Sequence, residues 1–283
     1  MSELRCVQRI DQVREAIAGW RAAGERIAFV PTMGNLHAGH HALVEHARAQ
    51  ATRVVASIFV NPTQFGPAED FAAYPRTLAA DRIGLAAHGC DLLFAPSVAD
   101  MYPRGTSDLI AIRVPGLEDI LCGGFRPGHF SAVATVVARL LGIVQPHLAV
   151  FGAKDYQQLM VVRRVVDDLA LPVRIEAAPT VREADGLAMS SRNQYLEPAQ
   201  RSLAPLLFAT LQRVRSDVLA GASATEAEAQ ALAALNAAGF RPDYVSIRDA
   251  AELQKSHPDP SAKRIVLAAA WLGKTRLIDN LLI

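Results

Sequence analysis

The feature that most constrains the fold of this chain is a regular alternation of apolar runs and helix-like stretches between residues 27 and 178. Continuous apolar runs such as VVASIFV are typical of strands buried on both faces of a parallel sheet, and the stretches between them repeat their apolar residues with helical spacing. The alternation therefore predicts a parallel sheet covered by helices. The predicted strands are residues 27–30, 54–60, 91–96, 110–114, 148–152 and 173–178, and the predicted helices are residues 40–50, 78–88, 131–144 and 155–169.

The pattern changes after residue 180. Two helical stretches, residues 200–219 and 225–238, are followed by three strand-like runs at 244–247, 265–271 and 276–280. Helices followed by consecutive strands are typical of an α+β unit. We therefore predict an α/β protein of two domains: a Rossmann-like parallel sheet with helices on both faces over residues 1–182, and a smaller C-terminal α+β lid domain over residues 183–283.

The composition of the 283-residue chain argues against several classes of protein. Apolar residues make up 51% and charged residues 20%, which excludes a wholly disordered chain. The net charge is +1, so no global basic field attracts nucleic acid or an anionic membrane. No uncharged apolar run approaches the roughly 18–20 residues that span a bilayer. We therefore expect neither a nucleic-acid partner nor a membrane partner.

Two further observations concern the compartment. The N-terminal stretch carries acidic residues and lacks the apolar centre of a secretory signal. The cysteines, Cys6, Cys90 and Cys122, are odd in number and scattered, with neither a disulfide framework nor metal-ligand spacing. Both observations favour the cytoplasm.

The loop after the first predicted strand has the composition of a phosphate-binding site. In PTMGNLHAGHHALVEHA, residues 31–47, Gly34 and Gly39 allow the backbone to approach a ligand, and the helix start supplies unpaired N–H groups. His37 and His40 can donate hydrogen bonds to phosphate oxygens, and either imidazole can carry charge near neutral pH. Metal binding and a purely structural role remain the alternatives for this pair. The other histidines of the segment are interpreted as solvated helix residues: His41 and His46.

A second cation follows another predicted strand. Lys154 is the only lysine in the first 254 residues of a chain that has four lysines and 25 arginines. Lysine binds phosphate as a compact point charge, whereas arginine acts as a planar fork. Because the carboxyl ends of parallel strands share one edge of the sheet, we expect Lys154 to face the same crevice as the two histidines. Asp155 beside it is interpreted as a helix N-cap.

Three other segments place polar side chains where such sheets bind ligands. Asn61 and Gln64 follow a strand, and their amides suit the carboxylate of a hydroxy acid. Arg126 and His129 precede an apolar helix and would add to an anion-binding field. The loop READGLAMSSRN, residues 182–193, offers hydroxyls and an arginine as an anion clamp. Taken singly, a strand-end turn, helix capping and an ordinary linker remain alternatives for these segments.

The chain resembles the pantothenate synthetase (pantoate–β-alanine ligase) family over almost its whole length. The resemblance rests on PTMGNLHAGH, FVNPTQF, YPRT, RPGHF, FGAKDYQQL and DGLAMSSRN in this order and spacing, with IRDA and AAWLG further on. The broader resemblance is to the nucleotidyltransferase and class I aminoacyl-tRNA synthetase superfamily, in which an HxGH-like and a KMSKS-like loop bracket ATP. It implies that pantoate and β-alanine condense with ATP and Mg²⁺, through pantoyl adenylate, in a cytoplasmic homodimer.

The resemblance also implies roles for individual residues. His40 matches the family's proton donor, and His37, Lys154 and Arg192 are the other predicted catalytic residues. Gln64 and Gln158 match pantoate-contacting positions, Gln64 also matches the β-alanine contact, and the metal ligands are not assigned. The ATP-binding positions are Met33, Gly34, Asn35, Leu36, His37, Ala38, Gly39, His40, Gly152, Ala153, Lys154, Asp155, Val181, Met189, Ser190, Ser191 and Arg192.

Three other functions compete with this ligase. An adenylyltransferase of the same superfamily would transfer AMP to a phosphate acceptor and leave a dinucleotide. A tRNA-binding synthetase fragment is disfavoured by the net charge of +1 and by the absence of a long basic appendage. A nucleotide-binding regulator without turnover would not need the full set of phosphate-facing groups.

Overall fold

The computed structural model describes residues 4–66, 71–255 and 262–283 of the chain. In these residues six strands form one sheet, in which every paired neighbour is parallel. The predicted α/β sheet is therefore confirmed. The strands are β1 (Arg5–Val7), β2 (Ile27–Thr32), β3 (Arg53–Ile58), β4 (Leu92–Phe94), β5 (Leu148–Gly152) and β6 (Arg174–Ala178), in the spatial order β1-β4-β3-β2-β5-β6.

Helices cover both faces of this sheet. They are α1 (Ile10–Ala22), α2 (Ala38–Arg48), α3 (Leu78–Ala87), α4 (Val98–Met101), α5 (Cys122–Phe125), α6 (His129–Val144) and α7 (Tyr156–Asp168). Side chains that alternate along β2 enter two separate apolar layers: Phe29 packs with helices on one face, and Ala28 and Val30 pack with helices on the other. The first layer includes α1, α6 and α7, and the second includes α2 and α3.

The strand order reverses between β2 and β5. From β2 the chain continues to β3 and β4 on one side, whereas β5 and β6 lie on the other side. Loops that leave the carboxyl ends of β2 and β5 therefore diverge and open a crevice between them, which is where parallel α/β sheets bind ligands. This crevice separates the loop that begins at Met33 from the turn that carries Lys154.

The C-terminal part of the chain contains three helices and a second sheet, which is antiparallel. The elements are α8 (Pro198–Leu203), α9 (Leu206–Leu219), α10 (Ala224–Ala237), β7 (Arg241–Asp249), β8 (Arg264–Leu272) and β9 (Thr275–Leu282). The strands pair in the order β7-β8-β9, and α9 and α10 pack on one face. The other face packs on the first part of the chain, where Ile265 and Leu267 share an apolar cluster with Val161 and Leu117. The boundary between residues 182 and 183 remains a prediction.

The predicted strand at residues 110–114 is wrong. This segment is irregular, and Ile110 is 86% exposed. Its backbone donors are taken by side chains: Ile112 N–H donates to Thr135 Oγ1 at 2.9 Å, and Val114 N–H donates to the Glu118 carboxylate at 3.1 Å. The apolar run therefore lies against α6 without pairing in a sheet.

The single helix predicted over residues 200–219 is also wrong, because the chain forms two helices that are separated at Ala204 and Pro205. Ala204 and Pro205 both keep helical dihedral angles, but proline has no backbone N–H to donate to a carbonyl of the preceding turn. The break therefore falls where the proline requires it. Along the described residues, no helix combines the length and apolarity that a membrane crossing needs.

Candidate active site

A cleft of about 240 Å³ opens at the crevice between β2 and β5. Separate stretches of the chain meet in it, each one following a strand or beginning a helix. The predicted catalytic residues His37, His40, Lys154 and Arg192 all line it, together with Gln64 and Gln158. The remaining lining residues are Pro31, Thr32, Met33, Gly39, Leu43, Phe59, Tyr74, Val133, Val136, Val137, Leu140, Phe151, Gly152, Asp155, Pro179, Thr180, Val181, Met189, Ser190 and Ser191.

Two imidazoles are fixed by the start of α2. His37 is the N-cap, and its Nδ1 accepts a hydrogen bond from Gly39 N–H at 3.1 Å. His40 Nδ1 accepts from His37 N–H at 3.3 Å, and the two rings lie 4.2 Å apart between centroids. Since Nδ1 is the acceptor in both neutral rings, the proton of each is on Nε2. The helix start thus presents two N–H donors of defined tautomer to the cleft.

Both imidazoles are neutral at pH 7. Burial, followed by the positive charge of Lys154, lowers the pKa of His37 to about 4. Burial and the neighbouring His37 lower the pKa of His40 to about 3. The expectation that either ring carries charge near neutral pH is therefore wrong for the unliganded protein, because burial and neighbouring positive charge outweigh the opposing effect of Asp155 on the pKa of His37.

Two glycines permit this loop geometry. A Cβ on Gly39 would lie 2.8 Å from Cε1 of His37, so only glycine leaves the ring its place beside the helix start. Gly34 has a φ of +84°, and a Cβ there would also meet Ile58 at 3.0 Å. Gly34 therefore needs glycine for its backbone conformation, and Gly39 needs it because the His37 ring lies so close.

Lys154 lies in a 3₁₀ turn, Ala153–Asp155, between β5 and α7. Its side chain is 19% exposed, and its Nζ lies 3.9 Å from the Asp155 carboxylate. Asp155 occupies the N-cap position of α7, but its side chain makes no capping hydrogen bond. Its interpretation as a helix cap is therefore wrong, and the carboxylate borders the cleft next to the ammonium.

The cleft also has an apolar wall and two amide side chains. Val133, Val136 and Leu140 from α6 form the wall, with Gln64 and Gln158 beside it. Branched side chains next to amide donors suit a small ligand that has both an aliphatic part and a carboxylate or hydroxyl. The neighbouring Gln157 does not line the cleft. It is buried, and its amide bonds to backbone atoms of residues 117–122.

Gln64 is held from both sides. Asn61, fully buried, donates from Nδ2 to Gln64 Oε1 at 3.1 Å. His129 Nδ1 donates to the Gln64 carbonyl at 2.9 Å, and Arg126 donates to the same carbonyl at 3.3 Å and to His129 Nε2 at 2.9 Å. Arg126 and His129 do not line the cleft. Their hydrogen bonds orient the Gln64 backbone, whereas the sequence suggested a direct anion field.

The loop between β6 and α8 closes the side of the cleft that faces α2. Met189 N–H donates to Val181 O at 3.0 Å, and Ser191 Oγ donates to Asn35 O at 3.0 Å. Ser190 Oγ accepts from the backbone N–H of residue 192 at 3.2 Å, which turns the backbone at the predicted anion clamp. Hydroxyls and a guanidinium are thereby placed against the loop that carries the histidines.

Five predicted ATP-contacting residues do not line the cleft, and their contact with ATP remains a prediction. The N–H groups of Asn35 and Leu36 donate to Asp81 at 3.0 and 2.8 Å, so they are already paired. Their role in this structure is to shape the loop. The five residues are Gly34, Asn35, Leu36, Ala38 and Ala153.

Asp81 is a residue that the sequence analysis missed. It is buried on α3, where it accepts from the backbone of the histidine loop and from Thr77 Oγ1. An acid one helical turn before the buried Leu85, and so on the same face of the helix, is the pattern that could have revealed it.

The other two histidines of α2 are partly buried, whereas the sequence suggested that they are solvated. The ring of His41 stacks on His88 with centroids 4.2 Å apart and an interplanar angle of 14°. His46 Nε2 is buried and has no hydrogen-bond partner among the described residues. Both side chains are therefore shielded in part from solvent by neighbouring residues.

The fold and the cleft together are typical of a Rossmann-like α/β enzyme, with a cleft suited to a phosphorylated ligand where the strand order reverses. The chain matches the Pantoate-beta-alanine ligase family over residues 5–282. It is 55% identical over 281 residues to the pantothenate synthetase of Stutzerimonas stutzeri, covering 99% of this chain and 98% of that one. The chain therefore belongs to the pantoate–β-alanine ligase family.

Solved structures agree with this assignment. Pantothenate synthetase from Thermus thermophilus superimposes with a TM-score of 0.91 at 48% identity, covering 98% of this chain and 99% of that one. Pantoate-beta-alanine ligase from Francisella tularensis, complexed with beta-gamma ATP and beta-alanine, gives 0.83 at 34% identity and covers 99% and 97%. The phosphate-acceptor adenylyltransferase is not favoured by any of these matches.

Proposed function

We propose that this chain condenses pantoate with β-alanine in the cleft between β2 and β5, with cleavage of ATP to AMP and pyrophosphate. The observation that carries the proposal is the convergence of cationic, imidazole and amide groups in one cleft, which His37, Lys154 and Arg192 line together with Gln64 and Gln158. The Francisella relative, described as a complex with ATP and β-alanine, supports the same class of small-molecule substrates.

The proposed reaction has two steps. An oxygen of the pantoate carboxylate attacks the α-phosphorus of ATP, the bond to the β-phosphate oxygen breaks, and pyrophosphate leaves. The amine of β-alanine then attacks the acyl carbon, the bond to the AMP oxygen breaks, and the nitrogen loses a proton. A carboxylate is already ionised at neutral pH, so the first step needs no strong general base.

The main demand on the protein is to stabilise negative charge in the transition state. We assign Lys154 as the point charge on the phosphates, and Arg192 with Ser190 and Ser191 as the clamp. The two imidazoles of the α2 start donate from Nε2 as neutral rings, which suits oxygens that gain charge as pyrophosphate departs. Approach of the triphosphate would raise both pKa values from their low starting point.

We assign pantoate to the part of the cleft lined by the apolar wall of α6. Its two methyl groups fit the wall formed by Val133, Val136 and Leu140, and its polar groups fit Gln64 and Gln158. The family resemblance assigns the β-alanine contact to Gln64 as well, and we propose the same role here. Residues 183–283 are proposed as the lid that keeps water from the acyl adenylate.

Mg²⁺ fits this site only as a companion of the nucleotide. Among the described residues, no cluster of three His, Cys, Asp or Glu side chains could hold a metal ion. Asp155 is the one carboxylate among the described cleft-lining residues. Magnesium commonly binds substrate phosphates with one or two protein carboxylates. We therefore propose that it enters on ATP with Asp155 nearby, where it would neutralise phosphate charge.

The assembly and the compartment are inferred from the family resemblance. We propose a homodimer, which sedimentation at several protein concentrations tests. We also propose the cytoplasm, in keeping with three free thiols at Cys6, Cys90 and Cys122.

The test of the proposed function is product analysis with purified protein. The expected result is release of AMP and pyrophosphate that depends on both pantoate and β-alanine. Release of ADP and phosphate would contradict the proposal. A dinucleotide product with a phosphate acceptor would indicate the adenylyltransferase in its place.

A further inference from the structure

Strand β9 bonds to two segments that border the cleft, the turn at residues 153–154 and the loop that begins at Arg182, although no residue of β9 lines the cleft itself. Its side chains alternate across the second sheet. Leu277 and Leu281 pack with the helices on one face, whereas Ile278 packs with the cluster shared with α6 and α7. Asp279 and Asn280 follow this alternation and therefore point to opposite sides.

Asn280 reaches the turn that carries Lys154. Its Nδ2 donates to Ala153 O and to Lys154 O, each at 2.9 Å, and the residue is 9% exposed. Both amide hydrogens are thereby used on two successive carbonyls. The backbone of the turn that carries the Lys154 ammonium is thus held by a residue 126 positions later in the chain.

Asp279 bonds to the second segment, the loop that begins at Arg182. Its carboxylate is 2% exposed and accepts from both terminal nitrogens of Arg182, at 2.6 and 3.0 Å. Arg182 in turn donates to Gly186 O and stacks on Phe208 at 3.4 Å. Arg182 thus anchors the loop that continues to the anion clamp, while Asp279 Oδ1 also accepts from Asn280 N–H at 2.8 Å.

We propose that Asn280 is a positioning residue for Lys154: from the second sheet it fixes the backbone that carries the ammonium, in register with the loop held by Asp279. This rests on the proposed function, in which Lys154 stabilises the phosphates. Asn280 touches no cleft surface, so its effect on the reaction must pass through the turn. Misplacement of a catalytic group by about 1 Å can cost up to about 100-fold in rate.

The test is a double-mutant cycle on the single-turnover rate of pyrophosphate formation at saturating ATP and pantoate. Asn280→Ala is expected to slow this step about 10-fold in the wild-type background. In the Lys154→Ala background, the same change is expected to alter the rate less than about 2-fold, because residues that act as one unit are not additive. The matched control is Ile278→Ala, on the same strand and face, with an expected change of less than about 2-fold.

The outcomes separate the two proposals. An equal slowing by Asn280→Ala in both backgrounds, no slowing in either, or the same slowing by Ile278→Ala would overturn the positioning role while leaving Lys154 catalytic. A near-normal rate for Lys154→Ala alone would contradict the proposed role of Lys154, and the assignment of Asn280 with it. If Asn280→Ala gives no folded protein, Asn280→Ser takes its place, and the same ratio between backgrounds decides.

Discussion

The two sheets contribute to the cleft in opposite ways. All cleft-lining residues in the described part of the chain lie between Pro31 and Arg192, and none comes from β7, β8 or β9. The antiparallel sheet instead meets the site through buried polar groups, Asp279 and Asn280, that bond to the turn and the loop carrying the phosphate-binding residues. In the functions proposed here, the parallel sheet supplies the catalytic groups and the antiparallel sheet fixes their spacing.

This difference follows from topology. The carboxyl ends of parallel strands lie at one edge of a sheet. Side chains that follow β2, β3 and β5 are therefore brought close together by the strand order itself. An antiparallel sheet has no such shared edge, and its strands can act on a distant site only through individual side chains. Changes in the first region are therefore expected to alter the reaction, and changes in the second to alter its geometry and stability.

The largest expected effect is loss of the lysine in the parallel-sheet region. Lys154→Ala should lower the adenylation rate by at least about 10²-fold, comparable with removal of one transition-state donor. His40→Ala should impair the same half-reaction in a single-turnover assay. The control is Lys274→Ala in the turn between β8 and β9, which is exposed and should change the rate less than about 2-fold. If the lysine variants behaved alike, or if only the amine step slowed in His40→Ala, the division between the two sheets would be wrong.

The second prediction concerns the ion pair that joins the regions. Arg182→Met leaves the Asp279 carboxylate buried without its cation and should lower the free energy of unfolding by about 2–3 kcal/mol in urea titrations. Arg201→Met, whose partner Asp185 is 41% exposed, should cost less than about 1 kcal/mol. Equal costs for the two substitutions would show that the buried pair does not tie the sheets together.

The pH dependence of stability should also divide between the regions. Every histidine in the described residues lies before residue 148. His40 has a pKa of about 3 when folded, against a usual value of 6.5. Between these values the unfolded chain binds the proton and the native protein does not, so the stability is fully present above pH 6.5 and falls as the pH decreases.

His40→Gln tests this directly. The slope of the unfolding free energy against pH between about 6.5 and 5 should decrease by about 1 kcal/mol per pH unit. Urea titrations at three pH values measure it. An unchanged slope would mean that the His40 ring is not held neutral by burial.

The smallest expected effect tests the irregular segment of the first region. Ile110→Ser should change the free energy of unfolding by less than about 0.5 kcal/mol, because the side chain is 86% exposed. Ile265→Ser, in the buried strand β8, is the reference and should cost at least about 2 kcal/mol. A large cost at Ile110 would indicate that residues 110–114 do pair as a strand.

Much of the fold could be predicted because burial leaves a pattern in the sequence. The continuous apolar runs at β2 and β5 and the helical spacing in α6 and α7 each appear where predicted. The first helix was not predicted, although Val13, Ala16 and Ile17 have the required spacing. The error at residues 110–114 has the opposite cause, since an apolar run alone does not show whether it has a strand to pair with.

The site was predictable to the extent that its residues follow strands. His37, Lys154 and Gln64 could be placed at one edge from topology alone. The neutral state of the histidines could not, because the pKa of His40 depends on burial that arises only after folding. Asn280 could not be found either, because its hydrogen bonds to residues 153 and 154 depend on how two sheets pack.

In the proposed first step, the pantoate carboxylate becomes a mixed anhydride with AMP. Turnover of pantoate labelled with ¹⁸O in its carboxylate, followed by mass spectrometry of the products, tests this step. We expect one labelled oxygen to appear in AMP, since the anhydride oxygen stays on phosphorus when β-alanine attacks carbon. Unlabelled AMP, or the label in inorganic phosphate, would contradict it.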